Sequence, residues 1–162
     1  MQIIVKQITP LSDIDESCSF TAGKDIKIKD YGKMFKSGHS VIRALMFNID
    51  MLDIKSFVST HYVRHNVGIT HWVKSNRIDR GGVENADRNT LVNHRMLINA
   101  QALINMSHAR LCSKASKETR EAMEAIQAEI KKVCPELAKY LVPSCEYLKE
   151  CPEFTPCGRG QK

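Results

Sequence analysis

The sequence has few aromatic residues, and it lacks repeats and low-complexity tracts. Phe, Trp and Tyr make up 6% of its 162 residues, and no basic block alternates with them. A stacking platform for single-stranded nucleic acid is therefore poorly supported. The formal net charge of +6 nevertheless favours an anionic partner. A compact phosphate ligand agrees with this composition better than a nucleic acid does.

Long apolar runs are also missing. No stretch approaches the length of a membrane span, so no membrane contact is expected. The first ten residues, MQIIVKQITP, lack the basic start, apolar core and cleavage site of a secretory signal. We therefore expect a cytoplasmic protein, whose six cysteines are thiols or metal ligands rather than disulfides.

The apolar pattern indicates one domain of strands and helices. A chain with 43% hydrophobic residues at this length can bury one core but hardly two. We expect a domain over residues 1–142 and a Cys- and Pro-rich tail over 143–162. The predicted elements are a strand over 3–8, a short helix over 30–38, a strand within 41–49, a helix over 55–67, an irregular stretch over 70–90, and two long helices over 91–111 and 116–133. The predicted fold class is α/β (α+β), with a small antiparallel or mixed sheet packed on the long helices.

One short segment concentrates groups that bind phosphate. Arg64 and His65 precede Gly68, and Ser75 and Arg77 follow. Guanidinium groups bind phosphate through two parallel hydrogen bonds, so the segment is a plausible nucleotide clamp. A solvated basic helix end is an equally good interpretation of the spacing alone.

The same segment, HYVRHNVGITHWVKSNR, resembles the signature R-H-R-x-x-S-x-N-E-x-S-x-R of the flavin-dependent thymidylate synthases. Arg64 and His65 match its opening, and residues 75–77 match its end with one residue inserted. Asn66 stands where the signature has its second Arg. The central Ser, Asn and Glu are replaced around Ile69, His71 and Trp72.

Two further segments carry the resemblance to this family. KSGHS, which contains His39, resembles its S-G-H-x-S element. INAQALINMSHARLCSKASKETRE resembles its long helix, N-A-R-S-L-x-N-F-x-x-L-R-x-x-S-x-A-Q-x-E-I-R. Gln101 replaces the Arg that contacts flavin in that helix, and Arg110 matches the Arg that contacts substrate. The chain is thus identified as a divergent and shortened family member over residues 30–125.

The resemblance implies an enzyme that reductively methylates dUMP to dTMP. Methylenetetrahydrofolate would be the carbon donor, FAD the hydride carrier and NADPH the reductant, in a homotetramer whose active sites combine several subunits. Arg110 would hydrogen-bond the uracil ring and stabilise negative charge that develops there. Ser75 would lie near the pyrimidine and, with Arg77, hold the substrate phosphate. The implied FAD contacts are His39, Arg64, His65, Asn99 and Asn105.

Several alternatives stay open at this stage. Asn99 and Asn105 could cap or bridge helices instead of contacting flavin. The substituted signature could support hydroxymethylation of the pyrimidine, or nucleotide binding without turnover. The further phosphate contact that the family takes from a distant arginine could be Arg80, Arg88 or Arg95.

The cysteines of the C-terminal region suggest a structural zinc site. Cys145, Cys151 and Cys157 are evenly spaced, with Cys134 upstream, and four thiolates can close a tetrahedral zinc site. Free cysteines around turns, or a tail that docks on another subunit, are alternatives. A zinc-stabilised nucleic-acid-binding module is a second candidate function. A metal pair formed by His61 and His65 is disfavoured because Arg64 lies between them.

Overall fold

The structure is a computed structural model that describes residues 1–158. Its strands are β1 (Gln2–Gln7), β2 (Met46–Lys55), β3 (Ile69–Val73) and β4 (Leu91–Asn99). Its helices are α1 (Ser12–Ala22), α2 (Tyr31–Ser37), α3 (Ser56–Val63), α4 (Ala100–Arg110), α5 (Lys117–Val133), α6 (Pro135–Ala138) and α7 (Ser144–Leu148). Short 3₁₀ helices lie at Ser40–Ala44 and Ile78–Arg80.

The four strands form one antiparallel sheet in the order β1-β2-β4-β3. Alternate side chains of β2 and β4 point into the core, including Phe47, Ile49, Met96 and Ile98, all fully buried. Helix α3 packs against β2 and β4, and α5 packs against β1. The predicted α/β class and the small antiparallel sheet are confirmed.

The predicted long helix over 91–111 is wrong in its first half. Residues 91–99 form β4, and the helix begins only at Ala100. Along β4 the residues Val92, His94, Met96 and Ile98 are buried while their neighbours are more exposed, which is the period of a strand. The apolar residues of this strand also satisfy a helical stripe, which misled the prediction.

Other elements agree with the sequence or refine it. Asp30 caps α2 by accepting a hydrogen bond from the backbone N–H of Lys33 at 3.4 Å, and α2 ends at Gly38, whose φ is +62°. Ser116 is the N-cap residue of α5, as predicted. The stretch predicted to be irregular contains β3, and the ambiguous region after residue 12 contains α1. None of the helices within residues 1–158 is long and apolar enough to cross a membrane.

Candidate active site

Two residues that the resemblance assigns to the site meet directly. Arg110, the last residue of α4, donates a hydrogen bond from Nε to His65 Nε2 at 2.8 Å. His65 lies in the loop between α3 and β3, and both side chains are half-buried. Since Nε2 accepts here, neutral His65 carries its ring proton on Nδ1. Burial, followed by repulsion from Arg110 and His71, lowers the pKa of His65 to about 4.

Three arginines give this region a positive potential. Burial lowers the pKa of His61, and repulsion from Arg110, Arg64 and Arg88 lowers it further. None of these arginines forms an ion pair within the described residues. Arg110 is the half-buried arginine of the three, and none of the described carboxylates pairs with it. An anionic ligand would therefore compensate its charge.

Helix α3 is held against α5 by a small polar cluster. His61 Nδ1 and Thr119 Oγ1 lie 2.9 Å apart, and Thr119 Oγ1 lies 2.8 Å from Ser116 Oγ. The buried Tyr62 hydroxyl donates to the carbonyl of Thr119 at 3.1 Å, and burial raises the pKa of Tyr62 well above its usual value. These bonds fix the end of α3 from which Arg64 and His65 follow.

A chain of side chains beneath the sheet fixes the backbone of His65. His71 Nε2 lies 2.6 Å from the His65 carbonyl, His71 Nδ1 lies 2.9 Å from His94 Nε2, and His94 Nδ1 lies 3.1 Å from Ser59 Oγ. A carbonyl oxygen can only accept a hydrogen bond, so His71 Nε2 carries a proton. With neutral rings, His94 then donates to His71, and Ser59 donates to His94. All hydrogen bonds of this series thus run in one direction, from Ser59 toward the His65 carbonyl, and every donor in the series has an acceptor.

The histidine chain depends on His94 staying neutral in the core. His94 is 1% exposed, and burial, with a smaller contribution from His71, lowers its pKa to about 4. Neither His71 nor His94 was selected from the sequence as a site residue. The alternation of buried positions in β4 is the signal that identifies His94, because it points to the core beside Val92 and Met96.

The loop that carries His65 is also packed on the start of α4. Asn99 is the N-cap of α4, and its Oδ1 accepts from the N–H of Ala102 at 2.9 Å. The N–H of Asn99 donates to the carbonyl of Gly68 at 3.2 Å. A Cβ on Gly68 would collide with the Asn99 side-chain amide. The capping role considered for Asn99 is therefore observed, in a residue that also contacts the site loop.

His39 and Asn105 occupy the region near the first turns of α4. Asn105 Oδ1 accepts from Gln101 Nε2 at 3.0 Å, and a Cβ on Gly38 would lie 3.3 Å from Gln101 Oε1. His39 is exposed, and its Nδ1 accepts from the N–H of Val41 at 3.4 Å. Gly38 therefore lies beside the first turn of α4, and Asn105 belongs to that helix. The assignment of His39 and Asn105 to a flavin stays a prediction.

Ser75 and Arg77 do not join His65 and Arg110. Arg77 is exposed, and its guanidinium makes a two-fold contact with Asp79, with Nε and Nη2 at 2.9 and 2.8 Å from the carboxylate oxygens. Ser75 Oγ accepts from the N–H of Arg77 at 3.2 Å. Within residues 1–158, neither side chain has a hydrogen bond or ion pair to His65 or Arg110. Their phosphate-binding role therefore stays a prediction.

The three further arginines considered for phosphate binding differ in position. Arg88 lies over the ring of Phe57, at 4.7 Å from the ring centroid, and is close enough to influence His61. Arg95 makes a two-fold ion pair with Asp50, at 2.6 and 2.7 Å, on the outer face of the sheet. Arg80 lies in an exposed 3₁₀ helix. Of the three arginines, Arg88 is thus the best placed for a phosphate contact near His61 and Arg110.

The predicted zinc ligands do not form one site. Cys134 is 1% exposed and belongs to the hydrophobic core, where burial raises the pKa of its thiol. Cys145, Cys151 and Cys157 line a different pocket. Across residues 1–158, no three His, Cys, Asp or Glu side chains are arranged to hold a metal ion. The inclusion of Cys134 was wrong because even spacing in sequence does not bring a core residue to the tail.

An open groove lies elsewhere, on the outer face of the sheet. Trp72, Asp50, Arg95 and Leu97 are among its lining residues. Arg95 is one of the three arginines considered for phosphate binding, whereas Arg64, His65 and Arg110 do not line this groove. A smaller groove is nearer, because Ser56, Ser59, Thr60 and Arg64 contribute to its wall. The chemistry of the His65–Arg110 region, rather than the size of a groove, marks the candidate site.

Comparison with known proteins connects this region to a family. The model of the thymidylate synthase complementing protein family matches residues 88–136, which include Asn99, Asn105 and Arg110. A flavin-dependent thymidylate synthase from Clostridium tetani is 40% identical over 64 residues, which cover 39% of this chain. Over this segment the chain is similar to flavin-dependent thymidylate synthases. The aligned segment spans 25% of the Clostridium tetani protein.

Solved structures extend the likeness to the fold of this flavin-dependent thymidylate synthase family. Two structures of thymidylate synthase X from Helicobacter pylori, with FAD and dUMP, match at a TM-score of 0.72 and 16% identity. The matches cover 88% of this chain and 99% and 100% of the Helicobacter pylori chains. At this identity the likeness establishes the arrangement of strands and helices.

Proposed function

We propose that this chain binds FAD and dUMP and catalyses the reductive methylation of dUMP to dTMP. Methylenetetrahydrofolate would donate the carbon, and NADPH would reduce the flavin. The observation that carries the proposal is the half-buried Arg110, which contacts neutral His65 and has no carboxylate partner among the described residues. The Clostridium tetani relative is a flavin-dependent thymidylate synthase, and thymidylate synthase X from Helicobacter pylori was solved with FAD and dUMP in two structures.

Arg110 is suited to stabilise negative charge on a bound pyrimidine. Attack by hydride on the ring transfers charge to a carbonyl oxygen, and a fixed cation stabilises that charge more in the transition state than in the ground state. His65 fixes the guanidinium through its Nε, so the terminal nitrogens can face a ligand. The depressed pKa of His65 keeps this ring neutral, so it adds no second positive charge.

The residues of the site region are compatible with an anionic cofactor such as FAD. Arg64 and Arg88 supply positive charge without an ion-pair partner in the described part of the chain, which suits a pyrophosphate. His39 and Asn105 add exposed polar groups beside α4. When bound, reduced FAD supplies the hydride. His65, Arg64, His39, Asn99 and Asn105 are the residues we propose to hold it.

We further propose a homo-oligomer, with a tetramer as the expected form. Ser75 and Arg77 lie on a loop without a direct contact to Arg110, so a phosphate site built from all three requires either loop movement or a second subunit. Exposed apolar side chains support assembly, including Trp72, which is 51% exposed on the outer face of the sheet. The mass in solution, measured by light scattering during size exclusion, tests this part.

Nucleotide binding without turnover is a second candidate, and two observations favour it. The guanidinium of Arg77 is engaged by Asp79, and Gln101 replaces a family arginine. A bound phosphate would have to displace the Asp79 carboxylate. The altered pyrimidine chemistry of hydroxymethylation is distinguished from methylation by the mass of the nucleotide product.

The first experiment is an absorption spectrum of the protein after incubation with FAD and desalting, with and without dUMP. We expect a retained flavin band that shifts on addition of dUMP, followed by dTMP formation with methylenetetrahydrofolate and NADPH. A retained band without product supports the second candidate. A colourless protein that also fails to bind dUMP by calorimetry overturns both.

Variants assign the roles. Arg110→Ala should lower turnover by about 100-fold or more, since one fixed charge donor is lost, while FAD stays bound. Arg64→Ala should weaken FAD retention. Lys131→Ala, which removes a positive charge from an exposed position of α5, is the matched control and should change neither property. Full turnover in Arg110→Ala would refute its proposed role.

A further inference from the structure

Four cysteines gather at one pocket away from the site. The pocket is small and lies between the end of α4, the start of α7 and the C-terminal tail. Its lining includes Cys112, Cys145, Cys151 and Cys157. Cys112 follows α4, whereas the others belong to α7 and the tail. Distant parts of the chain therefore bring thiols together here.

Helix α7 is held against α4 and α2 by contacts beside this pocket. The ring of Tyr147 packs on the ring of His108 with centroids 4.6 Å apart, and its hydroxyl donates to the carbonyl of Lys36 at 2.7 Å. Ser144 Oγ donates to the carbonyl of His108 at 3.4 Å. Cys145 follows Ser144, and Cys112 lies two residues after the end of α4. The two thiols thus enter the pocket from two elements that are already docked.

Accessibility separates these two cysteines from the core cysteines. Cys112 and Cys145 are half-buried, and neither is in a disulfide. Cys18 and Cys134 are buried. The pocket thiols are therefore more exposed to solvent than the core thiols. Because residues 1–158 contain no arrangement of three or more metal-binding side chains, thiol exchange suits this pocket better than metal binding does.

We propose that Cys112 and Cys145 are a dithiol pair that closes to a disulfide by exchange with a small disulfide such as oxidised glutathione. The thiolate of one cysteine attacks the small disulfide, which forms a mixed disulfide and releases one glutathione thiolate. The thiolate of the second cysteine attacks the protein sulfur of the mixed disulfide and releases the second. The pair loses two electrons and two protons, and one oxidised glutathione becomes two reduced molecules.

The disulfide would join α7 to the segment that follows α4. Arg110 lies two residues before Cys112, so the bond would restrain the chain beside the candidate site. It would also close a loop across α5 and α6, which restricts the unfolded chain. We expect the oxidised protein to melt several degrees higher than the reduced protein, with the difference removed by dithiothreitol. This inference does not depend on the proposed enzymatic activity.

Mass spectrometry tests the pairing on the full chain. After incubation with oxidised glutathione, free thiols are alkylated and the protein is digested with trypsin without reduction. Cys112 falls in peptide 111–114, Cys145 in 140–149, and Cys151 and Cys157 in 150–159. We expect a cross-linked pair of peptides 111–114 and 140–149 that disappears on reduction. Cys112→Ser and Cys145→Ser should abolish it, whereas Cys18→Ser should retain it.

Three results would overturn the proposal. The first is a link of peptide 140–149 or 111–114 to peptide 150–159 in place of the expected pair. The second is a stable glutathione adduct on Cys112 or Cys145 that does not resolve into a protein disulfide. The third is one bound zinc ion per chain that protects the pocket thiols from alkylation, because this would make the pocket a metal site.

Discussion

Replacing His94 with Gln should remove much of the pH dependence of folding below neutrality. In the folded protein the pKa of His94 is lowered to about 4 from an ordinary value of 6.5, mainly by burial. The unfolded chain therefore binds a proton on this residue at pH values where the folded chain does not. Stability is then fully present above pH 6.5 and is lost as the pH falls toward 4.

The size of this effect follows from the two pKa values. Each pKa unit corresponds to about 1.4 kcal/mol, so the complete loss for His94 approaches about 3 kcal/mol near pH 4. Between pH 7.5 and pH 5 the expected loss is about 2 kcal/mol. His65, whose pKa is also lowered to about 4, adds a smaller loss because its half-buried ring is partly solvated.

Urea unfolding at pH 7.5, 6 and 5 measures this difference. His94→Gln keeps an amide that can hydrogen-bond Ser59 or His71 but does not titrate, so its free energy of unfolding should fall about 2 kcal/mol less than that of the wild type over this range. His39→Gln is the control, because His39 is exposed, and should keep the wild-type slope. Equal slopes for wild type and His94→Gln would refute the assignment of a neutral buried His94.

Three further changes test the loop, the cap and the cysteines. Gly68→Ala should destabilise the fold by about 2 kcal/mol or more, since Gly68 has φ +76° and its new Cβ would collide with Asn99 and lie 3.2 Å from Ala102 Cβ. Gly81→Ala is the control. Gly81 has φ +73° and no atom within 4 Å of a new Cβ, so this change should cost only about 1 kcal/mol. Equal losses in urea titrations would contradict the steric reason. Asn99→Ala should cost about 1 kcal/mol through loss of the α4 cap, whereas Asn99→Asp should largely preserve stability. Equal destabilisation by the two substitutions would argue against the capping role of Asn99. Dialysis against a chelator should leave the melting temperature unchanged, and a lower melting temperature with released zinc would restore the zinc hypothesis.

Local signals in the sequence predicted much of the fold. Asp30 and Gly38 mark the ends of α2, and Ser116 marks the start of α5, because capping is decided by residues within one helical turn. The failure at residues 91–99 has a physical origin. Leu91, Val92, Met96 and Leu97 fit a helical stripe, and the strand alternation includes His94, which periodicity counts as polar although it is buried.

The candidate site was less predictable because its contacts are tertiary. The resemblance selected His65 and Arg110 separately, but their 2.8 Å contact depends on how the loop after α3 meets the end of α4. It also selected Arg77, whose engagement by Asp79 two residues away is a local contact that the signature does not encode. Cys134 was included with the tail cysteines on spacing alone, while burial places it in the core.

The position of His65 links the core of this protein to its proposed chemistry. Its carbonyl is held by His71, which is oriented by the buried His94, while Gly68 in the same loop is packed on Asn99 at the start of α4. The imidazole of His65 in turn fixes Arg110 at the far end of α4. Both ends of one helix therefore contact one short loop. A change that moves the loop should alter nucleotide affinity even when it leaves every proposed ligand-binding side chain intact. A signature made only of contact residues therefore does not define this site.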